Sequence, residues 1–562
     1  MKKNLKKFIN ILIIIISLGS IIYTIYYAKE HINNFNNPPF SNNTEAPPSK
    51  PDSNSSNNLE EPPSKKDDDS SNTDMQMPNK PNDLPDMKVD NNALSYKYYI
   101  IFGIESCILS ISIICLLNSN KETKNKSKSI IYTITLTLIL TVSIILLTNN
   151  VFLKNNNNDL KKTTSNITYS AKTEITEDTT LSEAEYSSSN EDENAIAVSG
   201  NINVNLSNIK VTKTGDSNGG DNTSFYGTNS AIIAKDGANL TLKNITVTTD
   251  AQGANGIFSY GGSATTQNSS SDGTTINISD STITTSKDNS GGIMTTGGGI
   301  MNASNLTINT AGISSAAIRT DRGGGTVNVD GGSYTTTNQG SPTIYSTANV
   351  TVSNANLISK ASEGIVIEGK NSVSLDNVTL TDTNSKLNGK STTYKNIFLY
   401  QSMSGDADTG TSKFDAKNSK ITTNKGDTLY ITNTTATINL ENNTIINNDE
   451  TGNFLRAQAD SWGEASNNGG IVTLVMSNQK VSGNVVIDSI STLDMTLNNN
   501  SYYEGTINSN KEAKSITLTL DKTSKIKLTG DSYITNLNNA DSTNSNIDFN
   551  GYKLYVNGKA IN

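Results

Sequence analysis

From residue 196 onward the chain repeats one phrase. An apolar residue, most often Ile after Ala or Gly, opens a unit that continues into a run such as Leu240-Thr-Leu-Lys-Asn-Ile-Thr-Val247 or Val373-Ser-Leu-Asp-Asn-Val-Thr-Leu380. Anchored on Ile196, Ile232, Ile257, Ile293, Ile318, Ile344, Ile365, Phe398, Leu429, Leu455 and Val486, the intervals are 36, 25, 36, 25, 26, 21, 33, 31, 26 and 31 residues. The shortest interval holds three short strands and three turns. Longer ones add Gly-, Ser- and Asn-rich insertions, as when loops grow outward from stacked repeats. Period-two alternation and Val, Ile and Thr on the runs are strand signals. The turn between the second and third strands carries Asn244, Asp280, Gly331, Asn354, Asn377, Asn418 and Asn442. Such residues can stack as amide ladders or adopt the left-handed conformations that corners require. The expected fold is all-β, a single-stranded parallel β-helix of about 11–13 coils. A β-sandwich of short strands, the alternative, does not repeat one phrase eleven times.

Composition removes several kinds of chemistry. The 562 residues include one His, His31, which lies in a polar stretch far from the repeats, so no Ser-His-Asp triad or His-ligated zinc site can be built in them. The two cysteines, Cys107 and Cys115, fall in one apolar run, which leaves the repeats without disulfides or thiol chemistry. With 53 acidic against 44 basic residues, the balance argues against nucleic acid as a partner.

Three apolar runs, 8–28, 98–117 and 129–148, are long enough to cross a bilayer as helices. Lys2, Lys3, Lys6 and Lys7 before the first, and Lys121, Lys124, Lys126 and Lys128 between the other two, place those segments inside the cell. Everything after Thr148 is then outside. Tyr26 is a poor fit to a small-residue cleavage site, so the first run is expected to be an uncleaved anchor. The resulting plan has a cytoplasmic tip and first membrane helix (1–28), an outer disordered Pro/Asn/Ser/Asp-rich loop (29–97), two membrane helices around a short basic loop (98–148), a linker (149–165), the β-helix (166–515), and C-terminal β coils with a cap (516–562). Glu105, inside the second run, suits a helix-packing role through neighbouring hydroxyls.

In Gly215-Asp-Ser-Asn-Gly-Gly-Asp221, Ala317-Ile-Arg-Thr-Asp-Arg-Gly-Gly-Gly325 and Phe398-Leu-Tyr-Gln-Ser-Met-Ser-Gly405, the chain resembles right-handed, pectate-lyase-like parallel β-helix proteins. These are exposed on the surface of clostridia and related Gram-positive anaerobes and are often labelled adhesin or carbohydrate-binding. The resemblance covers about residues 166–562 and implies a right-handed helix at a cell surface. Function does not follow from fold.

A lyase on this fold would use calcium-holding carboxylates and a basic residue. Arg319, Asp321 and Arg322 are its best candidates, with Glu368 one or two coils away; an Asp-Arg pair at a strand end is the plainer account. A glycosidase needs two converging carboxylates, and Asp406, Asp408, Asp460 and Glu464 sit on insertions without evident core partners. The loop with Asp216, Asn218 and Asp221 offers alternating oxygens and glycines for a possible Ca²⁺, or is a solvated turn.

Alternation also sorts the first strand of each coil. Two residues after the anchor, an inward column reads Val198, Ala234, Ser259, Thr295, Thr320, Ser346, Ile367, Tyr400, Ile431 and Ala457. The outward column reads Ile233, Phe258, Met294, Arg319, Tyr345, Val366, Leu399, Tyr430 and Arg456, large and apolar for a solvent face, with Tyr260, Asp321, Glu368, Gln401 and Gln458 beside it. Phe258, Tyr260, Arg319, Asp321, Tyr345, Glu368, Gln401, Tyr430, Arg456 and Gln458 are therefore candidate ligand contacts, since rings stack on sugar C–H faces and polar groups meet hydroxyls. The competing outcome is that insertions 402–412 and 458–470 fold back and bury the stripe as a satellite core. The expected function is non-catalytic, adhesin-like binding of a cell-wall or diffusible polysaccharide by a multi-pass membrane protein with its C-terminal domain extracellular. The alternatives are a calcium-assisted polysaccharide lyase and a structural surface scaffold.

Overall fold

The computed structural model describes residues 167–218, 220–262, 271–389 and 391–562, together with scattered helical residues between 13 and 20 and between 106 and 115. Two units are distinguished, one of residues 1–39 and 54–166 and one of 40–53 and 167–562. The expected outer loop and linker, Glu105 and the run 129–148 lie outside the described residues.

The three membrane helices require correction. Among the described residues no helix is long and apolar enough to cross a membrane. In the run 98–117 the described helical residues lie between 106 and 115.

The second unit is all-β, with long parallel sheets. Each coil passes through three strands. The first joins a sheet of twelve, from Ala171–Ile175 to Val485–Ile487, and the other two join a 26-stranded set. Pairing runs from coil to coil in parallel, Ile196 to Ile232 to Ile257 to Ile293 on the first sheet and Leu240 to Ile276 to Met301 on the second. This is the connectivity of a parallel β-helix. Its interior is a continuous stack of Ile, Val and Leu, one layer per coil, so each coil is stable only against its neighbours. The C-terminal end turns back as an antiparallel pair, Leu554–Val556 with Lys559–Ala560.

The corner between the second and third strands is built from one residue in the left-handed region. Asn208, Asn244, Asp280, Asn305, Asn354, Asn377, Asn418, Asn442 and Asn478 have φ between 47° and 58°, where Asn and Asp are the side chains best tolerated. Their carboxamides are bonded along the stack, Asn244 donating to Asn208 at 2.7 Å, Asn377 to Asn354 at 2.8 Å and Asn442 to Asn418 at 2.9 Å. At the opposite corner a buried serine column does the same, the backbone N–H groups of Ala254, Ser290 and Ser315 donating to the hydroxyls of Ser290, Ser315 and Ser341.

The register corrects two anchors. Ile365 pairs with Ile397 and Val366 with Phe398, while Leu455 pairs with Val485. Ile397 and Val485, not Phe398 and Val486, are therefore the inward residues. A one-residue slip turns a strand over: Leu399 enters the interior, while Phe398 and Tyr400 face outward. The phrase is disguised there because Asn396 stands where six other coils have Ala or Gly, its side-chain amide donating to Thr423 Oγ1 at 2.9 Å.

Candidate functional site

The outward column of the first sheet is covered by three segments. The first contains a short helix, α1 (Asp221–Tyr226), which brings Phe225 onto the sheet. Gly227 ends it at φ 71°, where an added Cβ would lie 2.7 Å from the Phe258 ring. Beneath it Ala197, Ile233, Phe258 and Met294 form one buried cluster, with Tyr260 packed at its edge. The second and third segments are the insertions 401–410 and 458–469. They help to bury a second cluster of Ala316, Tyr345, Val366, Phe398, Tyr400, Tyr430 and Trp462.

The insertions thus fold back, and the candidate contacts lie in a satellite core. Phe258, Arg319, Asp321, Tyr345, Glu368, Gln401 and Tyr430 are buried, while Tyr260, Arg456 and Gln458 are half-buried. The stripe is large and apolar because it is an interior. Several of its residues nevertheless meet. Tyr345 and Ser402 donate hydroxyl hydrogens to the Glu368 carboxylate, as does Tyr400 at 2.8 Å. Arg319 pairs with Asp321 at 3.0 Å, and Arg322 with Asp406 at 3.0 Å beneath the Phe225 ring. Ser404 closes the set by donating to Asp406 at 2.9 Å.

Burial dominates the electrostatics of this centre. It pushes Asp321 up to about 7 against the attraction of Arg319, with Asp406 adding to the rise. It raises Glu368 too, again helped by Asp406, and holds the Tyr345 and Tyr400 hydroxyls protonated. Further along, Arg456 pairs with Asp427 at 2.5 Å, and Gln458 donates to Tyr430 Oη at 2.9 Å.

Lys395 was not among the candidates. It is fully buried, its Nζ 4.6 Å from the Phe398 ring centre and 4.7 Å from that of Tyr430, and it donates to Ser391 Oγ at 2.5 Å. Burial lowers its pKa. Its position on the strand Lys395–Tyr400, two residues before an inward Ile, was the available signal.

Asp216, Asn218 and Asp221 stand in the segment that leads into α1. Asp216 accepts the backbone N–H of Gln252 on the next coil at 2.8 Å, the Asn218 backbone N–H donates to Asp192 at 3.3 Å, and Asp221 begins α1. Each is used by the turn it occupies. Among the described residues no three His, Cys, Asp or Glu side chains come together as a metal site requires.

An open face lies on the second strand of each coil. There a groove of about 440 Å³ is lined by Thr241, Asn277, Asn302, Asn328, Thr351 and neighbouring Ser279, Ser304, Asp330 and Ser353. Its floor is an amide track. Asn239 donates to Asn203 at 3.0 Å, Asn277 to Asn239 at 3.2 Å, Asn302 to Asn277 at 2.9 Å and Asn328 to Asn302 at 3.0 Å. Each bond fixes a carboxamide plane and leaves one N–H and one oxygen lone pair toward solvent. Oδ1 of the Asp330 carboxylate accepts from Ser353 at 2.8 Å and from Asn354 at 2.6 Å. No family model, curated protein or solved structure matches this chain.

Proposed function

We propose that this chain binds an extended, neutral polysaccharide along the amide track, in a binding and not a catalytic role. The observation that carries this is the ladder from Asn203 to Asn328, whose members Asn277, Asn302 and Asn328 line an open groove. Sugar hydroxyls both donate and accept, as do the free sides of carboxamides. The ladder immobilises those carboxamides before binding, so little side-chain entropy is left to lose. A neutral ligand suits a floor whose single charged residue, Asp330, is an acid that would repel an anionic one. Coils repeat about every 4.8 Å, so five coils offer regularly spaced contacts over about 19 Å, as a linear polymer requires. The resemblance to surface β-helix proteins labelled carbohydrate-binding points the same way, with cell-wall or diffusible glycans as ligands.

The test is a glycan array probed with the purified full chain, with and without a chelator, beside the triple variant Asn277→Ala, Asn302→Ala, Asn328→Ala. Binding of a neutral glycan that the variant loses while still melting cooperatively supports the proposal. Binding unchanged in the variant, or no glycan bound at all, overturns it and leaves a structural scaffold as the better account.

A further inference from the structure

We infer that the loop 401–410 is a latch that closes the arginine–carboxylate centre at acidic pH and releases it as the pH rises past neutrality. This concerns the first sheet, a different face from the amide track, and does not depend on glycan binding there.

The loop grips inward through two side chains. Ser402 bonds to Glu368, Asp406 accepts from Arg322 at 3.0 Å, and Ser404 ties Asp406 to the loop itself at 2.9 Å. Its outer side is open: Met403 is 57 % exposed, and Gly405, at φ 85°, has no atom within 4 Å of where a Cβ would stand. At the loop's far end Asp408 pairs with the half-exposed Lys370 at 2.6 Å, a contact worth little in water.

The charges beneath the loop do not balance when every acid is ionised. Asp321 follows the strand Ile318–Thr320, Glu368 ends the strand Ile365–Glu368, and Asp406 comes from the loop. Facing these three carboxyls are two guanidiniums, Arg319 and Arg322, and the neutral hydroxyls of Tyr345 and Tyr400. From α1, Ser224 reaches Arg319 at 3.4 Å and Asp221 acts on Arg322 as a further negative charge. With one carboxyl protonated, the three acids and two arginines are neutral together. With all three ionised, an excess negative charge sits in a buried place, where it is costly. Asp321 opens a tight turn beside its strand and Glu368 is on a strand, whereas Asp406 belongs to a long insertion, so relief comes by moving Asp406 away.

Burial sets where this happens. Asp321 is raised to about 7 and Glu368 is raised as well. A carboxyl raised by folding stabilises the closed form fully below its unfolded value of about 4 and loses that contribution as the pH climbs through its folded value. The closed loop is therefore held below neutrality and loosened above it. Release uncovers Glu368 and the Tyr345 hydroxyl bonded to it, two of the residues that alternation in the sequence singles out as a ligand surface.

Hydrogen exchange of the full chain, read by mass spectrometry and corrected for the intrinsic rate, tests this. Between about pH 5.5 and about pH 8.5, amides of 402–409 should lose about tenfold in protection, while the strand Ile344–Ser346 keeps its own. Glu368→Gln removes the excess charge and should flatten the step; Asp321→Asn is the second variant if the first fails to fold. Asp406→Asn should leave the loop open at both pH values. Equal wild-type protection at the two pH values, or a step that persists in both neutralised variants, overturns the latch.

Discussion

The indole of Trp462 stands with its centroid 5.1 Å from that of Phe398 and 5.3 Å from that of Tyr400, so the chain's single Trp is part of the cover over the first sheet. Its burial makes it a native probe of that cover. Removing a ring beneath it leaves a cavity that a stacked sheet cannot collapse. Tyr430→Ala and Tyr345→Ala should each cost about 3–5 kcal/mol, as for other large buried aromatics. Tyr430→Ala should also red-shift Trp462 emission. Urea titration read at that emission checks both, and an unchanged midpoint would show the stripe to be exposed.

Asn354 separates two contributions at the corner. It holds φ 55°, donates to Asp330 at 2.6 Å and accepts from Asn377 at 2.8 Å. Asn354→Gly keeps the conformation and loses the ladder, so it should cost about 1 kcal/mol. Asn354→Ala also places a Cβ in the left-handed region, at a further 1–2 kcal/mol or about that. Thermal unfolding of the pair measures the difference. Equal costs would mean that the ladder, not the backbone, selects Asn here.

Much of this fold is legible because a coil must repeat its inward apolar pair and its left-handed corner, and both leave their mark at fixed offsets. Ile232, Ile257 and Ile293 align by inspection and pair in space. Legibility fails where the mark is replaced, as at Asn396, which hides Ile397 and turns Phe398 and Tyr400 to the wrong side. The stripe is visible as large outward residues, but its cover is not. The insertion 458–469 has one large apolar residue, Trp462, and α1 is six residues long, too short to show helical periodicity. The meeting of Glu368 with Asp406 crosses 38 residues and depends on how a loop folds back, which no local pattern carries.

Asp521 should give the C-terminal coils an acid limit. Its partial burial opposes the ionised form, but hydrogen bonds from Ser524, from Asn499 at 2.8 Å and from Thr523 at 2.9 Å outweigh this and bring it down to about 2. A carboxyl lowered by folding contributes stability above its unfolded value of about 4, lost as the pH falls through its folded value. The turns at 499–501 and 521–524 should therefore loosen between about pH 4 and about pH 2. Exchange protection there should show the step in the wild type and lack it in Asp521→Asn. A step that survives in the variant would assign it to another acid.

Two glycines with similar backbones test what holds α1 down. Gly227 and Gly405 have φ 71° and 85°, so Ala at either pays the same left-handed penalty of about 1–2 kcal/mol. Their surroundings differ. A Cβ on Gly227 would meet the Phe258 ring at 2.7 Å and Ile233 Cδ1 at 3.0 Å, whereas one on Gly405 meets nothing within 4 Å. Phe258 and Ile233 cannot retreat, because both are fully buried on paired strands. Gly227→Ala must therefore lift the end of α1 and expose the Phe225 it carries. Limited proteolysis should cut the segment 214–231 faster in Gly227→Ala than in the wild type. Gly405→Ala should leave that segment as resistant as before and lower stability only by the backbone penalty. Equal cleavage in the two variants would show that contact with Phe258 is not what seats the helix.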